Sequence, residues 1–316
     1  MRLGILGAAD IAFRRFLPAL RKCPNITYAG VASRTPEKAA RFLETYGGQF
    51  YPSYDALLAD RSIDAVYVPL PPALHYAWGK KALDAGKHLF LEKPFTISAE
   101  QTKALIAAAQ ERDLMVYENY AFVHHAQLAK IKGMIADGTL GELRLLRAGF
   151  GFPKRSEGDF RFCKALGGGA LLDCGGYPLR LALELLGDTA QVVHSTLAQP
   201  ENYEVDLYGS AVLANEDGLC MQAAFGMDNA YQCQLEVWGS KMLLIAPRIF
   251  TAGAEFRPSL ILRSSVDEQR MELEADDQFL HAIKFFASGT LDKGIRGQTM
   301  RNIARQAELT SGIRHN

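Results

Sequence analysis

Hydrophobic residues in the first third of the chain alternate between short apolar runs and longer stretches with helical spacing. The short runs, each a strand candidate, are RLGILGA, ITYAGVASR, IDAVYVPL, HLFLEKP and LMVYENY. Helix candidates such as PEKAARFLETYG and SAEQTKALIAAAQERD lie between them, with apolar residues three or four positions apart. Because strands that alternate with helices pair in parallel through right-handed crossovers, this pattern predicts a doubly wound Rossmann sheet.

The pattern changes after about residue 120. A helix is predicted at HAQLAKIKGMIADG and another around GGGALLDCGGYP, and strand-like runs separated by turn residues follow between residues 190 and 265. These runs are AQVVHSTLAQ, VDLYGSAVLAN, GLCMQAAFG, YQCQLEVWGS and KMLLIAP. We therefore expect an α/β chain with two domains, residues 1–120 and 121–316, the second an α+β domain with an open, mostly antiparallel sheet. The last helix, near GQTMRNIARQAELTSGI, could pack on either domain.

Composition narrows the class of protein. A chain of 316 residues exceeds the usual size of one core, and its 35 basic residues equal its 35 acidic residues. No net positive field favours nucleic acid or an anionic membrane. The five cysteines have no CxxC spacing, and no apolar run reaches the roughly 20 residues of a membrane span. We expect a cytoplasmic protein with no metal site and no signal peptide.

The first strand runs into a relaxed form of the GxGxxG dinucleotide-binding turn, with alanine at the second and third glycine positions. A glycine permits the tight turn, and small residues let backbone amides approach a pyrophosphate at the start of a helix. Close packing of strand against helix is the alternative explanation. The predicted cofactor contacts in this turn are Gly7, Ala8, Ala9, Asp10 and Ile11.

The second strand ends in Ser33, Arg34 and Thr35, where an NAD enzyme usually carries a carboxylate for the ribose hydroxyls. An arginine and two hydroxyls suit a 2′-phosphate, so the sequence favours NADP(H), with NAD(H) as the other possibility. The alternative is a solvent-exposed Arg34, with Thr35 capping the next helix.

An amine and a phenol are the candidate catalytic groups. A lysine beside a tyrosine lowers the phenol pKa from about 10, so Lys93 would help Tyr177 give a proton to a carbonyl. Asp173 stands four residues before Tyr177 and would share its helical face, where it could hold a substrate hydroxyl or the Lys93 ammonium. Its alternative role is to stabilise the helix dipole.

The segments GILGAADIA, LEKP and GGGALLDCGGYP together resemble the glucose-fructose oxidoreductase, inositol dehydrogenase and MocA (Gfo/Idh/MocA) family. The resemblance implies a Rossmann domain followed by an open-sheet domain, with Lys93, Asp173 and Tyr177 at the substrate carbon and a Lys93–Pro94 bond that is often cis. It extends the expected cofactor contacts to Leu70, Pro71, His75, Glu92 and Lys93.

Four further segments, whose match is less specific, resemble the nucleotide-sugar 3-ketoreductases of this family. They are ADIAFRRFLPAL, ENYAFVHHAQ, DFR and NAYQCQLEVWGS. They imply NADPH as hydride donor and a keto group on a nucleotide-linked sugar as acceptor. The expected substrate contacts are His125, Arg161 as a phosphate clamp, Asp173 and Tyr177. His124 is expected to be structural.

Two other hypotheses remain from the sequence. One is an NADP-dependent sugar or trans-dihydrodiol dehydrogenase that works in the oxidative direction. The other is a non-catalytic dinucleotide sensor, against which the presence of both Lys93 and Tyr177 argues. Family members commonly dimerise or tetramerise through the open sheet, so a homodimer or homotetramer is expected.

Overall fold

The computed structural model describes residues 1–156 and 158–314. They divide into two units. The first comprises Met1–Asn119 and Phe279–Ala304, and the second comprises Tyr120–Gln278 and the residues from Arg305 onward.

Within the described residues, the first unit contains a six-stranded sheet in the order β3-β2-β1-β4-β5-β6, with all strands parallel. The strands are β1 (Arg2–Leu6), β2 (Thr27–Ala32), β3 (Gln49–Tyr51), β4 (Ala65–Val68), β5 (His88–Leu91) and β6 (Val116–Glu118). The predicted doubly wound sheet is confirmed. The three-residue β3 was not predicted, because a strand this short shows no periodicity.

Helices connect these strands: α1 (Leu17–Leu20), α2 (Pro36–Tyr46), α3 (Tyr54–Ala59), α4 (His75–Asp84) and α5 (Ala99–Glu111). Serines begin two of them, since Ser53 accepts a hydrogen bond from the Ala56 amide and Ser98 from the Gln101 amide. A π-helical turn, Ala12–Phe16, precedes α1. Pro18 in α1 has no amide hydrogen to continue regular α-helical bonding, which explains the irregularity there.

In the part of the second unit that the structure describes, eight strands form a sheet in the order β14-β13-β12-β11-β7-β10-β9-β8. They are β7 (Leu143–Gly151), β8 (Gln191–Ala198), β9 (Tyr208–Ala214), β10 (Cys220–Gly226), β11 (Gln232–Gly239), β12 (Leu243–Ala246), β13 (Ser259–Arg263) and β14 (Glu268–Glu272). Neighbours are antiparallel except β7 and β10. The mostly antiparallel sheet and its five predicted strands are confirmed.

The sequence analysis named no run at β13 or β14, and it also missed the central strand β7, whose two glycines obscure the strand pattern. Both glycines meet neighbouring side chains closely: a Cβ on Gly149 would lie 2.6 Å from Gln232 Oε1, and one on Gly151 would lie 3.3 Å from Asn229 Cβ. These glycines therefore accompany close contacts with β11 and with the turn before it, which local sequence does not reveal.

The sheet of the second unit has one face in the core. Along β11, Cys233, Leu235 and Val237 are buried, whereas Gln232 and Trp238 on the other face are exposed. Two helices, α6 (Ala126–Ala136) and α7 (Gly176–Leu186), contribute to the same hydrophobic core as the buried strand residues.

The two C-terminal helices are α8 (Gln278–Leu291) and α9 (Lys293–Arg314). Most of α8 and the first half of α9 group with the parallel sheet, not with the predicted second domain. Arg296, whose side chain is 7% exposed, donates from Nη2 to Asp113 Oδ1 at 2.8 Å and from Nη1 to the Gly289 carbonyl at 2.9 Å. This buried guanidinium ties α9 to the end of α5.

In residues 1–156 and 158–314, no helix is both long enough and apolar enough to cross a membrane. The same residues contain no group of three or more side chains suited to hold a metal ion.

Candidate active site

The turn after β1 is shaped by Gly7. Its φ is +111°, in the region that favours glycine, and a Cβ there would lie 2.7 Å from Leu70 Cδ2. Leu70 follows β4, the strand next to β1 on the side where the strand order reverses. Dinucleotides bind outside the carboxyl ends of strands at such a reversal, so Gly7 and Leu70 both lie on the edge where a cofactor is expected.

Helical backbone begins at Asp10, directly after Ala8 and Ala9. The Asp10 carboxylate forms ion pairs with Arg14 Nε at 2.9 Å and Arg41 Nη1 at 3.3 Å. A contact of this turn with a pyrophosphate would therefore come from backbone amides at the helix start and not from the Asp10 side chain.

Ser33, Arg34 and Thr35 form a compact turn after β2. The buried Ser33 hydroxyl donates to the Thr35 carbonyl at 2.9 Å and accepts from the Thr35 amide at 3.1 Å. Thr35 occupies the N-cap position of α2, but its hydroxyl makes no capping hydrogen bond, so the capping alternative is wrong. The exposed Arg34 and the Thr35 hydroxyl are a donor set that fits a phosphate group.

His75, an expected cofactor contact, is fully buried. Nδ1 lies 2.8 Å from the Pro94 carbonyl oxygen and Nε2 lies 2.7 Å from the Leu70 carbonyl oxygen. Burial lowers the pKa of His75, although the two carbonyls act in the opposite direction. The ring links the turn after β4 to the turn after β5. The bond between Lys93 and Pro94 is cis, as the resemblance implied.

Glu92 is held by two neutral donors. The Tyr67 hydroxyl and the Asn119 side-chain amide both donate to Glu92 Oε1 at 2.6 Å. Burial raises the pKa of Glu92, and these hydrogen bonds only partly oppose that effect. Sequence analysis did not single out Asn119, although its place directly after β6, at the carboxyl edge of the sheet, was a usable signal.

Close contacts explain the glycine-rich segment before α7. Gly169 has φ +115°, and a Cβ there would lie 2.5 Å from Asp206 Oδ1. A Cβ on Gly168 would lie 2.3 Å from the Arg161 carbonyl oxygen. Asp206, which sequence analysis missed, accepts from the Leu171 amide at 2.6 Å and so satisfies the start of the helical segment.

Tyr177 belongs to the second unit and lies in the first turn of α7, surrounded by aromatic rings. Its ring centroid is 5.2 Å from that of Tyr120, 4.6 Å from Phe150 and 5.6 Å from Phe250. The preceding Gly176 leaves room for Tyr120, since a Cβ would lie 1.9 Å from the Tyr120 hydroxyl oxygen. These contacts restrict the rotation of the Tyr177 side chain.

Asp173 lies in a π-helical turn, Leu171–Gly175, that runs into α7. Arg161 Nε donates to Asp173 Oδ2 at 2.7 Å, and Arg161 Nη1 donates to Asp159 Oδ1 at 3.1 Å. Two carboxylates thus bind the guanidinium that the sequence analysis expected to clamp a phosphate. Sequence analysis missed Asp159, although it begins the DFR string that was quoted for the family subgroup.

His125 is buried and begins α6. Its Nδ1 accepts from the Gln127 amide at 3.1 Å and lies 3.9 Å from Asp276 Oδ2. An Nδ1 that accepts leaves the proton of the neutral ring on Nε2. The His125 side chain therefore caps the start of α6. His124 ends the preceding 3₁₀ turn, Ala121–His124.

Comparisons with known proteins identify the family. Residues 1–120 match the model of the oxidoreductase family with an NAD-binding Rossmann fold, and residues 128–245 match the Gfo/Idh/MocA C-terminal domain. The chain belongs to the Gfo/Idh/MocA family. It is an oxidoreductase, and the resemblance found in its motifs is confirmed.

Several relatives match nearly the whole chain. A dTDP-3,4-didehydro-2,6-dideoxy-α-D-glucose 3-reductase from Streptomyces violaceoruber is 42% identical over 99% of this chain and 94% of its own length. The Actinomadura kijaniata protein of the same name is 39% identical over 99% of this chain and 95% of its own. D-xylose 1-dehydrogenase (NADP⁺) 2 from Haloferax volcanii is 32% identical over 96% and 95%.

A solved structure shows the same fold. KijD10, a 3-ketoreductase from Actinomadura kijaniata in complex with NADP and TDP-benzene, matches with a TM-score of 0.96 and 39% identity, covering 99% of this chain and 97% of that one. The aldose-aldose oxidoreductase of Caulobacter crescentus, at 23% identity and a TM-score of 0.87, shares the fold.

The raised pKa of Glu92 predicts a pH effect on stability. Above about pH 4.3 an unfolded glutamate ionises while the folded Glu92 keeps its proton, so the free energy of unfolding falls as the pH rises towards the folded pKa, by up to about 1.4 kcal/mol per pH unit. Glu92→Gln removes this loss while keeping an acceptor for Tyr67 and Asn119.

Urea unfolding at a series of pH values checks this prediction. The stability of Glu92→Gln relative to the unsubstituted protein should increase from pH 4 towards pH 8, whereas the exposed control Glu44→Gln should show no such trend. A relative stability of Glu92→Gln that stays constant or declines with pH would contradict the assignment.

Proposed function

We propose that this oxidoreductase uses NADPH to reduce the C3 keto group of a dTDP-linked keto-deoxysugar. The observation that carries this proposal is the similarity of the full chain, at 39% and 42% identity, to two enzymes named for that reaction. The product would be the corresponding secondary alcohol. Hydride addition needs a proton donor, and the chain contains one in Tyr177.

The cofactor proposal rests on residues of the first unit. Gly7 allows the turn, the helix start offers amides to a pyrophosphate, and Arg34 with Thr35 offers donors to a 2′-phosphate. The proposed contacts at the turn also include Ala8, Ala9, Asp10, Ile11 and Ser33. Beyond it they include Leu70, Pro71, Glu92 and Lys93, with the His75 ring between the Leu70 and Pro94 carbonyls and able, when neutral, to donate to one of them.

Tyr177 is proposed as the general acid and Lys93 as its assistant. When bound, a dihydronicotinamide supplies the hydride that reduces the carbonyl carbon. The Tyr177 hydroxyl gives its proton to the carbonyl oxygen as negative charge develops there, and solvent then returns a proton to the phenolate. The Lys93 ammonium stabilises both anions electrostatically. The rings around Tyr177 keep its hydroxyl in one direction.

Variants of the relative support these two roles. Further solved structures of KijD10 with NADP and TDP-benzene carry replacements of one tyrosine and of one lysine. Those two residues are separated by the same number of positions as Lys93 and Tyr177. The chain thus has the same pair of residue types at the same spacing.

Substrate contacts are proposed for Asp173 and Tyr177, with His125 in a supporting position. Asp173 is a carboxylate paired with Arg161, so it would accept a hydrogen bond from a sugar hydroxyl. The buried His125 begins α6, and we propose that it acts mainly by fixing the chain there.

The assembly proposed is a homodimer or homotetramer through the sheet of the second unit, in the cytoplasm. Large side chains are exposed on this sheet, among them Tyr208 on β9, Trp238 on β11 and Tyr231 directly before β11, each 50% exposed. A second copy would remove this apolar surface from water.

One specific observation favours a second function. The Haloferax volcanii relative, at 32% identity, is named an NADP⁺-dependent D-xylose 1-dehydrogenase, so oxidation of a free sugar or of a trans-dihydrodiol is the alternative. The same proton donor would then act in reverse as a base. A sensor without turnover is disfavoured because Lys93 and Tyr177 are both present.

Substrate profiling tests the proposed function. We expect absorbance-monitored oxidation of NADPH with a dTDP-linked 3-keto sugar, and much slower reduction of NADP⁺ with D-xylose or a trans-dihydrodiol. Turnover of free sugars or dihydrodiols without any reaction of keto-sugar nucleotides would reject it in favour of the dehydrogenase.

Removing the proton donor should lower the rate of the catalytic step without changing the affinity for the cofactor. Tyr177→Phe is expected to lower kcat about 10²- to 10⁴-fold, and Lys93→Met to lower it similarly. NADPH titration by fluorescence should give dissociation constants within about threefold of the unsubstituted enzyme for Tyr177→Phe. Tyr208→Phe, an exposed tyrosine on β9, is the matched control with unchanged kcat. An unchanged kcat in Tyr177→Phe would refute the assignment.

Arg34 should determine the preference for NADPH over NADH. Because charged hydrogen bonds contribute about 1.5–3 kcal/mol, Arg34→Ala is expected to raise the NADPH dissociation constant about 10- to 100-fold and to leave NADH nearly unchanged. Arg61→Ala, exposed before β4 at the opposite edge of the sheet, is the control. Parallel loss of NADH binding would show that Arg34 does not contact the 2′-phosphate.

A further inference from the structure

Arg161 connects a turn to the helical segment that carries the candidate catalytic residues. Its Nε donates to Asp173 Oδ2 at 2.7 Å, and its Nη1 donates to both oxygens of Asp159 at 3.1 and 3.3 Å. The side chains of these three residues are only 11–24% exposed. Hydrogen bonds between charged partners in such partly buried positions are stronger than on an open surface.

The main chain of Arg161 reinforces the connection. Its carbonyl accepts from the Gly169 amide at 2.9 Å, and its amide donates to Asp159 Oδ1 at 3.0 Å. The Phe160 ring lies 4.6 Å from the guanidinium carbon. Arg161 is therefore fixed by its backbone, by two carboxylates and by a ring, which leaves its side chain little freedom to turn towards a ligand.

The charge of this group of residues argues against a phosphate. One guanidinium between two carboxylates gives a net charge of about −1. Desolvation lowers the pKa of Arg161, but the carboxylates of Asp173 and Asp159 together raise it by more, so the guanidinium stays charged. A diphosphate brought to Arg161 would meet both carboxylates at short range, and like charges at short range repel. An uncharged hydroxyl would meet no such repulsion.

We propose that Asp159 and Arg161 are positioning residues that hold the Asp173 carboxylate for a hydroxyl of the sugar ring, and that they do not bind the diphosphate of the substrate. The proposal rests on the proposed function for its substrate. It assigns the Asp159–Arg161–Asp173 bridge to recognition of the uncharged sugar, and it replaces the expectation that Arg161 clamps a phosphate.

The test separates affinity for the sugar from affinity for the nucleotide. Arg161→Gln is expected to lower kcat/KM for the dTDP-keto sugar about 10- to 100-fold, mainly through KM, because Asp173 loses its charged partner. The dissociation constant for dTDP alone, measured by calorimetry, should change less than about twofold. Weakening of dTDP binding to the same extent as sugar-nucleotide binding would overturn the proposal.

Asp159→Asn provides a second variant that keeps the Arg161 charge. If the bridge positions Asp173, this variant lowers kcat/KM by about two- to tenfold and leaves dTDP binding unchanged. If Arg161 bound the diphosphate, removal of a nearby negative charge would tighten dTDP binding. Tighter dTDP binding by Asp159→Asn would therefore contradict the proposal. Arg257→Gln, which breaks the exposed pair with Glu274, is the matched control and should change neither quantity.

A separate measurement distinguishes failure of the bridge from failure of the proposed function. If the unsubstituted protein turns over no keto-sugar nucleotide, the proposed function is wrong, and the bridge is tested by unfolding Arg161→Gln, Asp173→Asn and the double variant. The bridge predicts that the double variant unfolds at nearly the same urea concentration as the less stable single variant. Additive effects of the two substitutions would reject the bridge.

Discussion

Close approach between the backbone and neighbouring groups in residues 167–176 is the constraint on which the orientation of Tyr177 depends. Gly168 lies against the Arg161 carbonyl, Gly169 against the Asp206 carboxylate, and Gly176 against the Tyr120 hydroxyl. A methyl group at any of these positions would have to displace its neighbour. The segment can therefore enter α7 along one path, and Tyr177 follows from that path into its ring cluster.

Carboxylates near the candidate site are stabilised in three different ways. Glu92 receives two neutral donors, Asp206 receives backbone amides, and Asp173 receives a guanidinium. Burial raises the pKa of the first two, because neutral donors only partly replace water. Asp173 is the one of these three for which the hydrogen-bond donor is a guanidinium, and such a charge-assisted hydrogen bond orients the carboxylate as an acceptor for a hydroxyl.

Periodicity predicted ten of the fourteen strands in the described residues and missed β3, β7, β13 and β14. Five parallel strands and five antiparallel strands were found because each is an apolar or alternating run between turn residues. β3 is too short to show a periodic pattern. In β7, Gly149 and Gly151 leave room for side chains from β11 and from the turn before it. The position of β7 at the centre of its sheet, parallel to β10, depends on pairing between distant segments.

Short motifs with fixed spacing were enough to predict the family, the dinucleotide turn and Lys93, Asp173 and Tyr177 as its candidate catalytic residues. The surroundings of these residues could be read only from the folded chain. The ring of His75 between two carbonyls, the engagement of Arg161 by Asp159 and Asp173, and the division of the last helices all depend on contacts between residues far apart in the chain. Such contacts follow from the path of the folded backbone, which local hydrophobic and polar spacing does not encode.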